Sequence, residues 1–163
     1  MEKLRDATLL FLIKKSGGKI TDICLAMKKV GFGAGRWNGA GGKVESGESI
    51  ESAVVREVRE ELGVAAAYPR KIAELSFYFP HNQAWDQKVH VYLAEIWKGE
   101  PVETQEMKPR WFSVSDIPFD KMWPGDVFWI LEVVKGRLVR GMFKFGEGDV
   151  VLNKGVNIVS DFA

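Results

Sequence analysis

"GGKVESGESIESAVVREVREELGV", from Gly41 to Val64, decides how the rest of the chain is read. Ser49 stands where an N-cap belongs, Ile50, Ala53, Val54, Val58 and Leu62 recur at helical spacing, and Gly63 is placed to end the helix. One amphipathic helix is predicted. At about 100° per residue, Glu57, Glu60 and Glu61 fall within an arc of roughly 100° bordering the apolar stripe, with Arg56 and Arg59 farther round. The spacing therefore predicts carboxylates that converge. Glu57 and Glu61 are an i,i+4 like-charge pair, which weakens a helix by a few tenths of a kcal/mol, and by more beside a low-dielectric core. A solvated face with Arg56 paired to Glu60 is the plain account of such a helix. The acids lie next to the stripe rather than opposite it, and the loop just before them carries Glu48. Both facts favour a hard divalent cation held by oxygen ligands. Mg²⁺ keeps several waters and usually holds substrate phosphates too, so the pattern points to phosphate chemistry.

Upstream, "GFGAGRWNGAGG" places six glycines between Gly31 and Gly42. So many permissive residues predict a loop that turns sharply or approaches a ligand closely. Before it, "ATLLFLI" and "ITDICLAM" read as strands joined at a Gly17-Gly18 hairpin. After the helix, "KIAELSFYF" and "KVHVYLAEIW" read as a strand pair around "PHNQAWDQ". A second helix is expected over "GDVFWILEVVKG", introduced by Pro124 and closed by Gly136, followed by short strands in "LVRGMFKF", "DVVLN" and "VNIV". Strands mixed with two helices predict an α/β sandwich with helices over a mixed sheet.

Composition bounds the alternatives. The 163 residues, 46% hydrophobic and 28% charged, read as one globular domain spanning 1–163, with no repeat or linker to divide it. The 23 basic and 22 acidic residues leave a net charge of +1, which shows no footprint for duplex nucleic acid or an anionic membrane. Cys24 is the only cysteine, so no internal disulfide forms and a reducing, cytoplasmic setting is expected, with a buried and inert thiol. The apolar run near the N-terminus is too short to span a bilayer. A monomer acting on a small molecule is the expectation.

Gly42, Glu48 and the run Arg56-Glu57-Val58-Arg59-Glu60-Glu61-Leu62-Gly63-Val64 resemble a complete Nudix box, with every fixed position filled. The resemblance implies a Nudix-type α/β/α sandwich with a loop-helix-loop metal site, hydrolysing nucleoside diphosphates linked to another group. It implies Mg²⁺, with Mn²⁺ as a substitute, ligated by Glu57, Glu60, Glu61 and the carbonyl of Gly41, and braced by Arg56 with Glu48. Either Glu61 or the distant Glu106 would assist the attacking water.

"MKKVGFGAGRWNGAGGKV", "PVETQEMKPRWF", "IPFDKMWPGD" and "GMFKF" further resemble the eukaryotic MutT-homologue branch of that family. That branch cuts oxidised purine nucleoside triphosphates such as 8-oxo-dGTP to monophosphate and pyrophosphate, sanitising the nucleotide pool. On matching positions the resemblance implies Asn38 and Asp126 as hydrogen-bonding partners of the purine, Trp123 stacked on it, Phe32 and Phe77 lining the pocket, Thr8 at its edge, Lys28 near the phosphates and Glu106 reaching the metal from outside the helix. Two other readings stand beside this one. The same box serves pyrophosphates such as ADP-ribose, a dinucleotide or an RNA 5′ end, and a non-catalytic nucleotide-binding module is the remaining class.

Taken singly, these residues have plainer accounts. Trp123 and the two phenylalanines could be core aromatics, Asn38 a turn former, and Lys28 and Glu106 solvated charges. Yet an indole beside an acid offers a flat apolar face next to a hydrogen-bonding group, and an amide presents donor and acceptor together; a purine edge needs both. One departure bears on selectivity. Where the branch has two adjacent aspartates after its "WP", this chain has Gly125-Asp126, so the resemblance leaves one carboxylate to face the base, and a narrower or shifted base preference is expected. Trp85, in "HNQAW", is a further candidate for base contact.

Overall fold

In the computed structural model, which describes residues 3–163, the first strand divides the hydrophobic residues between two layers. Strand β1 (Arg5–Ser16) sends Leu10 and Leu12 to one side and Phe11 and Ile13 to the other, as the alternation of a strand requires. Leu10 and Leu12 meet Val54, Val58 and Leu62 of helix α1 (Ile50–Leu62). Phe11 and Ile13 join the larger cluster that holds Trp129, Ile130 and Val133 of helix α2 (Asp126–Val134). The two helices therefore cover opposite faces of one sheet.

The remaining strands are β2 (Lys19–Lys28), β3 (Trp37–Asn38), β4 (Ala65–Ala67), β5 (Arg70–Tyr78), β6 (Gln87–Ala94), β7 (Ile96–Lys98), β8 (Met107–Ser113), β9 (Leu138–Phe145) and β10 (Val151–Val159). The sheet runs β10-β9-β5-β6-β1-β2-β3, with β8 on β2, while β4 and β7 form a separate pair. β1 is parallel to β6 and β5 to β9; the other pairings are antiparallel, so the expected mixed sheet and α/β sandwich are present. Among the described residues no helix is long and apolar enough to cross a membrane.

Local signals placed α1 and its ends correctly. Ser49 Oγ accepts from Ser52 N–H at 3.1 Å, and Gly63 adopts φ 70°, the left-handed conformation that glycine takes most cheaply. Gly17 and Gly18, both at positive φ, close the first hairpin. Gly136 at φ 88° follows α2. Burial holds α1 in place, since Val58 is fully buried and Leu62 nearly so. Leu62→Ala would cost about 2–5 kcal/mol as a core truncation and would loosen the turn that carries Glu60 and Glu61.

Two strand expectations change. "KVHVYLAEIW" is divided at Glu95 into β6 and β7. From Val151 on, "DVVLN" runs into "VNIV" as one continuous strand, β10, because Gly155 pairs with Met142 without breaking the ladder, while Asp149 and Val150 lie in the turn before it. β8 also had no clear strand signal, since Pro109 interrupts it; β8 pairs only with β2, and an edge strand tolerates a missing N–H.

Candidate active site

The glycine-rich loop is laid directly against β1. Thr8 N–H donates to Gly42 O at 2.8 Å, and Leu10 and Ala40 exchange backbone bonds of 2.7 and 3.0 Å. A Cβ on Gly41 would sit 1.9 Å from Thr8 O, and one on Gly42 would sit 2.6 Å from the carboxyl carbon of Glu57. Only glycine lets this strip of backbone pass between β1 and α1. The strip separates two groups of side chains.

On one side is a cleft of about 230 Å³. Thr8, Lys28, Phe32, Asn38, Gly41, Phe77, Trp123 and Asp126, all singled out in the sequence, line it. Its wall is aromatic. Phe32 lies 5.1 Å from Trp123, and Phe77 stacks on Phe143 and Phe145 at 5.7 and 5.9 Å. Thr8 Oγ1 exchanges long hydrogen bonds with Gly42, and Asn38 Oδ1 accepts from Gly39 N–H at 2.9 Å. Trp85 does not line the cleft. Its ring packs behind Phe32 and edge-on to Phe79, because the 83–85 turn carries it to the outer side of that wall.

Asp126 opens α2 with its carboxyl group almost wholly buried in this cleft. Oδ1 accepts from Trp129 Nε1 at 3.1 Å, while Oδ2 is the one buried side-chain polar atom without a partner among the described residues. Burial raises its pKa from 3.8 to about 7, against the smaller lowering effects of the Trp129 bond, the Trp123 backbone and Arg36. A ligand edge at Oδ2 would meet an orphaned group that gains a partner on binding.

On the other side of the strip stand the acids of α1. Arg56 occupies their midst: Nε donates to Glu48 Oε2 at 2.7 Å, Nη2 to Glu48 Oε1 at 2.9 Å, and Nη1 to Glu57 at 2.8 Å and to Glu60 at 3.2 Å. Nη2 also reaches Lys43 O at 3.2 Å. The bidentate fork holds Glu48 well below the usual carboxylate range, at about 2. Glu57 is raised, by desolvation first, with Glu60 and Glu106 adding repulsion against the pull of Arg56.

Glu61 points inward and is buried, with Oε2 accepting from Gly41 N–H at 3.0 Å. Its pKa rises to about 7, chiefly from burial, with Glu57 and Glu106 raising it further while Gly41 and Lys28 lower it. Glu106 sits in the loop before β8, where its carbonyl accepts from Lys29 N–H at 2.8 Å.

The carboxylates do not converge as the helical spacing predicts. Among the described residues no three acidic, imidazole or thiol side chains gather around a single point. Arg56 is long enough to cross its own turn and holds Glu57 and Glu60, while Gly41 draws Glu61 the other way. Even so, Glu57 feels the charges of Glu60 and Glu106, and Glu61 those of Glu57 and Glu106, so four acids share one neighbourhood.

Two cleft residues had no sequence signal, nor had one residue packed beside them. Phe79 is buried edge-on to Phe32 and Trp123 and Gln87 lines the cleft from β6, while Arg36, which is not part of the lining, lies over Trp123. Each is brought there by strand pairing or by the loop's path rather than by neighbours in sequence. His90 is buried between Asp6 and Lys71, on no metal spacing, and Cys24 is buried with its thiol pushed up to about 11.

A model of the NUDIX domain matches residues 3–132 of the chain. The oxidized purine nucleoside triphosphate hydrolase of Danio rerio is 41% identical over 140 residues, covering 85% of this chain and 88% of the relative. That of Mus musculus is 40% identical over 140 residues, covering 86% and 89%. Among solved structures, the mutator MutT protein of Bacillus halodurans superimposes with a TM-score of 0.80 at 23% identity, covering 94% of this chain and 98% of that one, which speaks for the fold.

Proposed function

The chain belongs to the NUDIX-domain family, and on that premise we propose that it hydrolyses oxidised purine nucleoside triphosphates such as 8-oxo-dGTP to the monophosphate and pyrophosphate. One observation carries the reading: an aromatic cleft with a half-satisfied buried acid, Asp126, opens along Gly41 and Gly42, directly beside the acids of α1.

Nudix hydrolases generally use a divalent metal, typically Mg²⁺. The residues present suit one. The donors are hard oxygens, and Glu57 and Glu61 are raised partly by acidic neighbours, a repulsion that a divalent cation relieves. Glu57, Glu60, Glu61, the carbonyl of Gly41 and Glu106 would hold it, with Arg56 and Glu48 bracing the turn. When bound, the ion neutralises polyphosphate charge and favours attack by water.

The chain's own groups do the rest in this reading. Trp123, Phe32 and Phe77 receive the flat base and exclude water from it. Asp126 Oδ2 takes a hydrogen bond from the base edge when ionised, and Asn38 offers a second polar contact. Lys28, on the same cleft, attracts the triphosphate toward Gly41. Glu61, whose proton affinity lies near neutrality, is the group we assign to receive the proton of the attacking water.

The test is a comparison of kcat/KM for 8-oxo-dGTP, 2-oxo-dATP, dGTP and ADP-ribose with Mg²⁺, following monophosphate and pyrophosphate release. A strong preference for 8-oxo-dGTP over dGTP is expected. Equal rates across the bases, or a preference for ADP-ribose, would keep the hydrolase and overturn the purine cleft.

A further inference from the structure

One charged side chain touches the base-facing wall from outside the cleft. The guanidinium carbon of Arg36 lies 4.2 Å from the ring centroid of Trp123, yet Arg36 does not itself line the cavity. It covers one face of the indole. Gly33 closes another edge of the same ring, where its Cβ would stand 3.3 Å from Trp123 Nε1. Trp123 is thus gripped by the glycine-rich loop at two points.

Arg36 is itself held. Its Nη1 lies 2.8 Å from Asp149 Oδ2, both side chains being about one-quarter exposed. Asp149 sits in the turn between β9 and β10 with φ 61°, a left-handed conformation that non-glycine residues adopt infrequently. The turn closes through Asp149 N–H to Gly146 O at 3.0 Å and Gly146 N–H to Val150 O at 2.8 Å. This backbone, in a conformation that aspartate tolerates better than most side chains, places a carboxylate against Arg36.

The groups acting on Asp126, among the described residues, are the Trp129 indole and the Trp123 backbone from its own segment, and Arg36 from the loop. Arg36 is the charged one. It therefore touches the stacking surface directly and acts on the acid of the cleft through its charge, while not forming part of the cavity lining.

We propose that Arg36, anchored by Asp149, is a positioning residue for base recognition, which holds the plane of Trp123. The proposal rests on the purine reading of the cleft. Removing the guanidinium frees the indole to turn and takes away the positive charge that favours ionised Asp126. The sign follows: without Arg36, Asp126 ionises at higher pH.

The experiment uses 8-oxo-dGMP as a probe that needs no turnover, with binding followed by tryptophan fluorescence and Asp126 ionisation by carboxyl ¹³C NMR titration of the free protein. In Arg36→Met the probe should bind about five- to tenfold more weakly, in line with losing a partly buried cation–π contact. The Asp126 midpoint should move up, and kcat at saturation should stay within about twofold. Arg36→Lys, which keeps the charge without the planar fork, should restore the titration and only part of the affinity. Asp149→Asn should weaken binding in the same direction, and the double variant should be no weaker than Arg36→Met alone. If Arg36→Met binds the probe as wild type does with an unmoved titration, whatever its melting temperature, the positioning role is overturned. If the wild-type protein binds no purine nucleotide, the reading of the cleft falls and this one falls with it.

Discussion

Glu61 Oε2 and the N–H of Gly41 are 3.0 Å apart, and that bond ties the acidic helix to the strip of backbone that borders the cleft. One oxygen of a buried carboxylate is thereby fixed, leaving the other for chemistry. Glu61→Gln keeps the shape and removes the proton acceptor, so kcat should fall by about 10²-fold or more while 8-oxo-dGMP still binds. Normal turnover in that variant would overturn the role given to Glu61.

The same residue sets a pH dependence of stability. Its folded pKa is raised from 4.5 to about 7, so the folded state holds a proton that the unfolded chain releases between those values. Metal-free stability should therefore fall as pH rises through that window. Mg²⁺ relieves the repulsion, and its effect on Tm relative to chelator should be larger at pH 8 than at pH 5. A Tm indifferent to millimolar Mg²⁺ at pH 8 would count against the metal site.

Arg56 is the cation in contact with Glu48, Glu57 and Glu60. Arg56→Lys retains the charge but not the fork that serves three acids at once, so it should not rescue Arg56→Ala. Both variants should lower kcat/KM by at least about tenfold, because Glu57 and Glu60 lose their shared support. Full activity in Arg56→Lys would show that charge alone suffices.

Asp126 makes the opposite demand on stability and on binding. Its folded pKa of about 7, against 3.8 unfolded, means that stability falls as pH rises across that interval. Asp126→Asn should raise Tm above pH 7 by roughly 5 °C and do little near pH 4. In the wild type KM for 8-oxo-dGTP should rise as pH drops below about 7, since an ionised Oδ2 is the better acceptor for a donor edge. Asp126→Asn should flatten that limb; an unchanged profile would remove Asp126 from base recognition.

Gly125 stands where the resemblance to the MutT-homologue branch would place a second acid, and a Cβ there would lie 2.8 Å from Phe143 Cδ1. Phe143 is fully buried in the aromatic wall. Gly125→Asp should destabilise by about 1–3 kcal/mol through this overlap, and Phe143→Leu in the same chain should recover part of it. The ratio of 2-oxo-dATP to 8-oxo-dGTP turnover, low in the wild type, should rise in the double variant. An unchanged ratio would show that the single acid does not narrow the preference.

Helix α1, its caps at Ser49 and Gly63, the Gly17-Gly18 hairpin and the approach of glycine-rich backbone to a site were legible in the sequence, because each depends on neighbours within a few residues. The cleft residues were reached through resemblance, and the contacts they make required the fold. Spacing along a helix gives the angle of Glu57, Glu60 and Glu61 but not the reach of Arg56 across them or the inward turn of Glu61 to Gly41, which depend on a loop laid against β1. The burial that leaves an oxygen of Asp126 free depends on the whole cleft, and the backing of Trp123 by Arg36 and Asp149 and the collision awaiting a side chain at Gly125 arise between residues 18 to 113 positions apart. Local periodicity determined the two helices, the long central strands and the acid-bearing turn. Long-range packing decided which of their side chains are buried, paired or left open to a ligand, because burial and charge pairing depend on what the rest of the chain brings alongside.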